Sequence, residues 1–154
     1  MIVRATKEDV GVLAELALLM WPEQSRAALE AEFTDMMTKK TVVFFLVLAD
    51  KHPIGFAQCQ LRYDYVEGTD SSPVGYLEGI FIQKAYRRQG YAKALLKECE
   101  GWALAQGCTE FASDCELINT DSQIFHQKMG FLEANRIVCY TKKLEQKMEY
   151  ESKA

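Results

Sequence analysis

The stretch Thr41 to Ala49 (TVVFFLVLA) constrains the fold more than any other part of the chain. Its β-branched and aromatic residues suit a pleated strand. Its apolar run, Val42 to Ala49, is far shorter than the roughly 20 residues needed to cross a bilayer, so no membrane association is expected. Asp50-Lys51-His52-Pro53 then reads as a turn, and Ile54 to Tyr65 as the partner strand.

The other segments group around this hairpin. Ile2 to Ala5 reads as a short first strand. Thr6 with Asp9 resembles a capping box, after which Val10, Leu13, Ala14 and Ala17 recur at helical spacing. Pro22 stops that helix just after Trp21. Ser25 can cap a second helix, with Leu29, Phe33 and Met36 on one face. Gly68 to Pro73 is a polar loop, and Val74 to Ile82 a strand with Gly79 in its middle. Tyr91 to Ala105 follows as a helix ended at Gln106-Gly107. Phe111 to Ser113 is strand, Asp121 to Met129 a helix stopped at Gly130, and Arg136 to Lys143 a last strand; residues after Leu144 are charged and expected to fray. This order describes one mixed α/β sheet with helices on its faces. Nothing in the 154 residues divides them, so one domain is expected.

Composition narrows the function. A net charge of −4 argues against a nucleic-acid protein, which would normally carry a basic face, and mildly favours a cationic small molecule. The five cysteines are scattered with no C-x-x-C pair, which suits free thiols in a reducing compartment. The two histidines, His52 and His126, lie far apart, so no metal site is expected. Lys7, Glu8 and Asp9 interrupt any signal-peptide core, and a cytoplasmic location is expected.

The most specific motif is Arg87-Arg88-Gln89-Gly90-Tyr91-Ala92, between a strand and a helix. A pyrophosphate needs several backbone N–H donors converging on it, and a helix N-terminus supplies them with a favourable dipole. Gly90 lets the main chain approach closely, Ala92 keeps the next turn narrow, and the two arginines add charge. Taken alone, the same residues could be a basic turn that merely starts a helix. Gly79 likewise has two readings: a tolerated strand glycine, or a bulge that splays its strand from Phe111–Ser113 and frees main-chain groups of Ile80, Phe81 and Ile82. Glu78, just before the bulge, and Asp114, ending the neighbouring strand, would then face the mouth of the gap; from spacing alone they read first as two solvated strand-end carboxylates.

R-x-x-G-x-A after a strand, with Asn119-x-x-Ser122 and Gly130-Phe131 downstream, resembles the GCN5-related N-acetyltransferase (GNAT) superfamily over nearly the whole chain. The resemblance implies a single-domain GNAT fold, its mixed sheet splayed between the fourth and fifth strands with helices on both faces. It assigns Arg88, Gln89, Gly90, Tyr91, Ala92 and Lys93 to the pyrophosphate of acetyl-CoA. Asn119 falls to the pantetheine arm, while remaining a plausible helix cap. Ile80, Phe81 and Ile82 would pair with the pantetheine amides, one main-chain amide stabilising the oxyanion of acetyl transfer.

The segments Arg62 to Gly68, Asp70 to Pro73, Leu77 to Phe81, Ala112-Ser113-Asp114 and Trp21-Pro22 are similar to aminoglycoside 6′-N-acetyltransferases of Gram-negative bacteria. That likeness implies Glu78 and Asp114 as catalytic and substrate-binding residues, and Trp21 and Tyr65 as substrate contacts; Gln24 and Asn135 occupy neighbouring positions and are held as further contacts. Sugar rings stack on aromatic faces, and ammonium groups favour carboxylates; Trp21 and Tyr65 could also be ordinary packing. Many superfamily members place a tyrosine where this chain has His126. A histidine there could donate a proton to the leaving thiolate, or be a half-buried helix residue with no catalytic duty. No cysteine has a recognisable base partner, so direct attack in a ternary complex is expected. A homodimer is expected from the likeness and from an exposed last strand. Two other readings remain open at this point: acetylation of a polyamine or protein amine, and a non-catalytic acetyl-CoA-binding module.

Overall fold

A computed structural model describes residues 1–146 and Tyr150. Its strands are β1 (Ile2–Arg4), β2 (Val42–Ala49), β3 (His52–Arg62), β4 (Val74–Ile82) and β5 (Phe111–Ser113). They lie side by side in chain order, antiparallel except for the parallel pair β4–β5. The expected hairpin forms. Asp50 and Lys51 both take positive φ, 48° and 68°, as a two-residue turn with the hand of the sheet requires.

The helices are α1 (Val10–Met20), α2 (Arg26–Met36), α3 (Tyr91–Ala105) and α4 (Thr120–Lys128). Thr6 N–H donates to Asp9 at 2.8 Å, the expected capping box, although it opens a short 3-10 turn that leads into α1. Ala28 N–H donates to Ser25 Oγ at 2.9 Å and starts α2. One face of the sheet packs Phe44, Leu46 and Phe56 under Leu13 and Ala17 of α1 and Leu29 and Phe33 of α2. The other packs Val43, Ala57, Cys59 and Leu77 under Leu95, Cys99 and Trp102 of α3, with Phe125 of α4 alongside. Helices therefore cover both faces, as the resemblance implies.

Two strand expectations need correction. The return strand of the hairpin stops at Arg62, not Tyr65, because β4 begins at Val74, the partner of Arg62, and nothing lies opposite the three residues beyond. Arg136 to Lys143 is not a strand. Ile137, Val138 and Tyr140 are 70%, 74% and 89% exposed, and the segment finds no strand neighbour among the described residues. Strand propensity alone cannot hold it, because a strand's N–H and C=O groups need a paired edge. The expected fraying after Leu144 falls mostly on residues outside those described.

Candidate active site

β4 is where the sheet becomes irregular. Toward β3, Gln58 pairs with Gly79 and Cys59 with Leu77, so Glu78 is an extra residue bulged out of the ladder. Toward β5, pairing runs only through Gly75–Phe111, Tyr76–Ala112 and Leu77–Ser113, while β4 continues to Ile82. The bulge and the end of the parallel ladder thus coincide, and the two strands part at Glu78. Gly79 has a further reason to be glycine: a Cβ there would stand 3.1 Å from Cη2 of Trp21 and 3.3 Å from Cε of Met20. The indole sits on the bared backbone, its edge against Phe56 at a centroid separation of 6.5 Å.

Glu78 and Asp114 both stand at the parting point, but neither carboxylate is free of partners. Arg62 donates to Glu78 Oε1 from Nε at 3.0 Å and from a terminal nitrogen at 2.8 Å, and to Oε2 at 3.1 Å. The same guanidinium lies 3.4 Å above the centre of the Tyr76 ring. The Tyr76 hydroxyl in turn donates to Asp114 Oδ2. Burial first, then the hydrogen bond and charge of Asp114, hold that hydroxyl well above the ordinary phenol range, with Arg62 pulling the other way. A cation and a phenol thus hold the two acids. Arg62 and Tyr76 escaped the sequence reading because nothing in spacing pairs an arginine at one strand end with a bulged glutamate on the next.

Beyond β4 a 3-10 turn, Lys84–Tyr86, leads into the basic motif. Arg87 Nε donates to the Ile82 carbonyl at 2.8 Å, and its guanidinium faces the Phe81 ring at 5.6 Å. That carbonyl, expected to be free, is therefore taken. Arg88 has φ 63° and Gly90 φ 86°, so the chain turns twice through left-handed backbone before α3. Such alternation turns successive N–H groups to one side and forms a nest for an anion. The first helical bond is Ala94 N–H to the Gly90 carbonyl, at 3.1 Å, which leaves the preceding amides of the first turn without helical acceptors. A Cβ on Gly90 would meet nothing within 4 Å, so the space above the turn is open. Arg88, Gln89 and Lys93 are exposed around it, while Tyr91 and Ala92 pack onto the α3 core.

The remaining candidates are more scattered. The Asn119 side chain accepts from Ser122 N–H at 3.1 Å and caps α4. His126 meets the Ser122 carbonyl through Nδ1 at 2.6 Å and Ser113 Oγ through Nε2 at 2.8 Å. A carbonyl only accepts, so Nδ1 carries the proton, and in the neutral ring Nε2 accepts from the serine. Tyr65, 77% exposed on the loop after β3, makes no hydrogen bond or ring contact with the other candidates among the described residues. Gln24 is exposed on the turn after α1, and Asn135 donates to Glu67 Oε1 at 2.9 Å, tying the segment after α4 to the Tyr65 loop. No group of three or more metal-ligating side chains occurs among the described residues. All five cysteines are free, and Cys59, Cys99 and Cys108 are buried.

The sequence matches the model of the acetyltransferase (GNAT) family over residues 12–131. It is 39% identical over 145 residues to an aminoglycoside N(6′)-acetyltransferase type 1 of Serratia marcescens, covering 94% of this chain and 99% of that protein. A relative of the same description from Salmonella typhimurium is 40% identical over 124 residues, 80% of this chain and 86% of its own. Among solved structures, AAC(6′)-Iy in complex with the bisubstrate analog CoA-S-monomethyl-acetylneamine aligns with a TM-score of 0.90 at 37% identity, covering 94% of this chain and 98% of that one.

Proposed function

Because the chain belongs to the acetyltransferase (GNAT) family, we propose that it transfers the acetyl group of acetyl-CoA to the 6′-amino group of aminoglycoside antibiotics and so confers resistance to them. The observation that carries this reading is the parting of β4 from β5 directly after Leu77 and Ser113, with Glu78 and Asp114 standing at the opening. Acetyl-CoA enters that opening from the nest side. Its pyrophosphate fits the open backbone of Arg88 to Lys93, where Gly90 leaves room and the first-turn amides of α3 lack helical acceptors. Its pantetheine arm lies beside Ile80 and Phe81, with Asn119 near its path.

The acceptor comes from the Trp21 side. An aminoglycoside is a polycation, and the acids Glu78 and Asp114 with the rings of Trp21 and Tyr65 offer it carboxylates and flat apolar faces. Gln24 and Asn135 add polar contacts at the rim. The 6′ amine is protonated as bound, since alkyl ammonium groups ionise near pH 10 or so. Asp114 or Glu78, directly or through water, takes one proton; the neutral nitrogen attacks the thioester carbonyl, the tetrahedral oxyanion collapses with loss of the C–S bond, and the second nitrogen proton passes to the departing thiolate or to water. A main-chain N–H of β4 past Leu77 binds the developing oxyanion. The leaving thiol has a pKa of about 8.5, so it departs as thiolate with little assistance. Attack is direct, in a ternary complex, with no acetyl-cysteine.

The protein works as one acetyltransferase domain in the cytoplasm, where free thiols persist, and as a homodimer. Support for the dimer is the segment 136–143, whose Ile137, Val138 and Tyr140 point outward with no strand neighbour among the described residues. A second copy would supply one. The direct test of the activity is CoA release from acetyl-CoA with kanamycin, tobramycin or ribostamycin, run beside spermidine. Turnover with the antibiotics is expected. Turnover with spermidine alone, or with none, would overturn the acceptor.

A further inference from the structure

Glu78, on β4, and Asp114, just after β5, lie past the point where the main chain joins those two strands. What holds them is a relay of side chains. Tyr76 reaches from β4 and donates to Asp114 just beyond the end of β5. Arg62, the last residue of β3, uses the flat face of its guanidinium on the Tyr76 ring, 3.4 Å from the centroid, and the edge of the same group on both oxygens of Glu78. Only a planar, delocalised cation can present a face to an aromatic ring and a hydrogen-bonding edge to a carboxylate at once. The ring it covers is nearly buried, and the Glu78 side chain is only 21% exposed. This is a half-buried junction and not a loose surface pair.

We infer that Arg62 is a positioning residue of the acceptor site, which through Tyr76 ties Glu78 and Asp114 into one unit and fixes their placement across the parted strands. The inference rests on the acceptor reading given above. Arg62 makes no hydrogen bond to Asp114, so its influence there passes through the tyrosine. Arg62 as a simple β3–β4 staple would behave differently: it would act on Glu78 and on folding, and Asp114 would not notice its loss.

The distinguishing experiment is a double-mutant cycle of Arg62→Ala and Asp114→Ala, with Arg62→Lys and Tyr76→Phe as companions. Arg62→Ala should lower kcat/KM for the aminoglycoside by up to about 10²-fold, the scale of a misplaced reacting group, with the KM for acetyl-CoA unchanged. Arg62→Lys keeps the charge but cannot use face and edge together, and should recover only a small part. The double variant should be no worse than about threefold below the weaker single variant, and this coupling should vanish in a Tyr76→Phe background. Fold losses that simply multiply would overturn the proposal, as would an equal rise in the KM for acetyl-CoA. The same variants are to be unfolded in urea, which needs no acceptor. Midpoint shifts that add there would also overturn it, so the test stands even if no aminoglycoside is turned over by the wild-type protein.

Discussion

The two ends of the cleft are built from different materials. On the side proposed for the cofactor the surface is main chain: left-handed Arg88 and Gly90 and the open first turn of α3, with Arg87 bonded back to Ile82. On the side proposed for the acceptor the surface is side chain: Trp21 laid on Gly79, and Glu78, Arg62, Tyr76 and Asp114 joined in series. A main-chain site is sensitive to dihedral angles and indifferent to most side-chain changes. A side-chain site is the reverse. The difference suits a transferase that keeps one donor and presents a separately adjustable surface to its acceptor.

Substitutions should therefore separate the two ends. The largest effect is expected from Asp114→Ala and Glu78→Ala, which should cost about 10²–10⁴-fold in kcat/KM for the aminoglycoside while the KM for acetyl-CoA stays put. Steady-state kinetics with each substrate varied in turn measures this, and equal damage to both parameters would erase the contrast. Next comes Gly90→Val. Left-handed backbone costs a β-branched residue about 1–2 kcal/mol, so the KM for acetyl-CoA should rise roughly tenfold. Space is not the obstacle at this position, because a Cβ there would meet nothing within 4 Å.

An effect of similar size but on the other side is expected from Gly79→Val, where Trp21 and Met20 must yield to side-chain atoms beginning 3.1 Å and 3.3 Å away. Overpacking of this kind costs about 1–3 kcal/mol, read as a lower Tm, and the displaced indole should raise the KM for the aminoglycoside first. Tyr76 supplies a pH signature. Its hydroxyl is held above the ordinary phenol value of 10.0, so the folded state keeps a proton that the unfolded chain gives up. Its contribution is complete below that value and declines as pH rises beyond it. Urea unfolding across the alkaline range should thus show wild type losing stability faster than Tyr76→Phe. Smallest of all, Ser25→Ala removes the cap that accepts Ala28 N–H at 2.9 Å and should cost about 1 kcal/mol with kinetics unchanged at both ends.

The same contrast explains what could be read from the sequence. Main-chain features announce themselves locally: Gly90 and Gln106-Gly107 bracket α3 as Tyr91–Ala105, and Gly79 marks the irregularity in β4, Val74–Ile82. Gly90 likewise marks the left-handed turn before α3. The Arg62–Glu78 and Tyr76–Asp114 contacts were not, since each joins side chains 16 and 38 positions apart whose meeting depends on register and on the bulge. Strand ends were misread where a partner decides them. Tyr63 to Tyr65 have suitable residues but nothing opposite, and Arg136 to Lys143 have the propensity without a paired edge among the described residues. Trp21 is assigned to the acceptor by likeness. Its seat on Gly79 supplies a physical reason for the pair.

NMR of the product formed from acetyl-CoA and kanamycin shows which amine is acetylated. A single acetamide on the 6′ nitrogen is expected. Acetylation of a different amine, or an unmodified antibiotic after prolonged incubation with active, acetyl-CoA-binding protein, would contradict it.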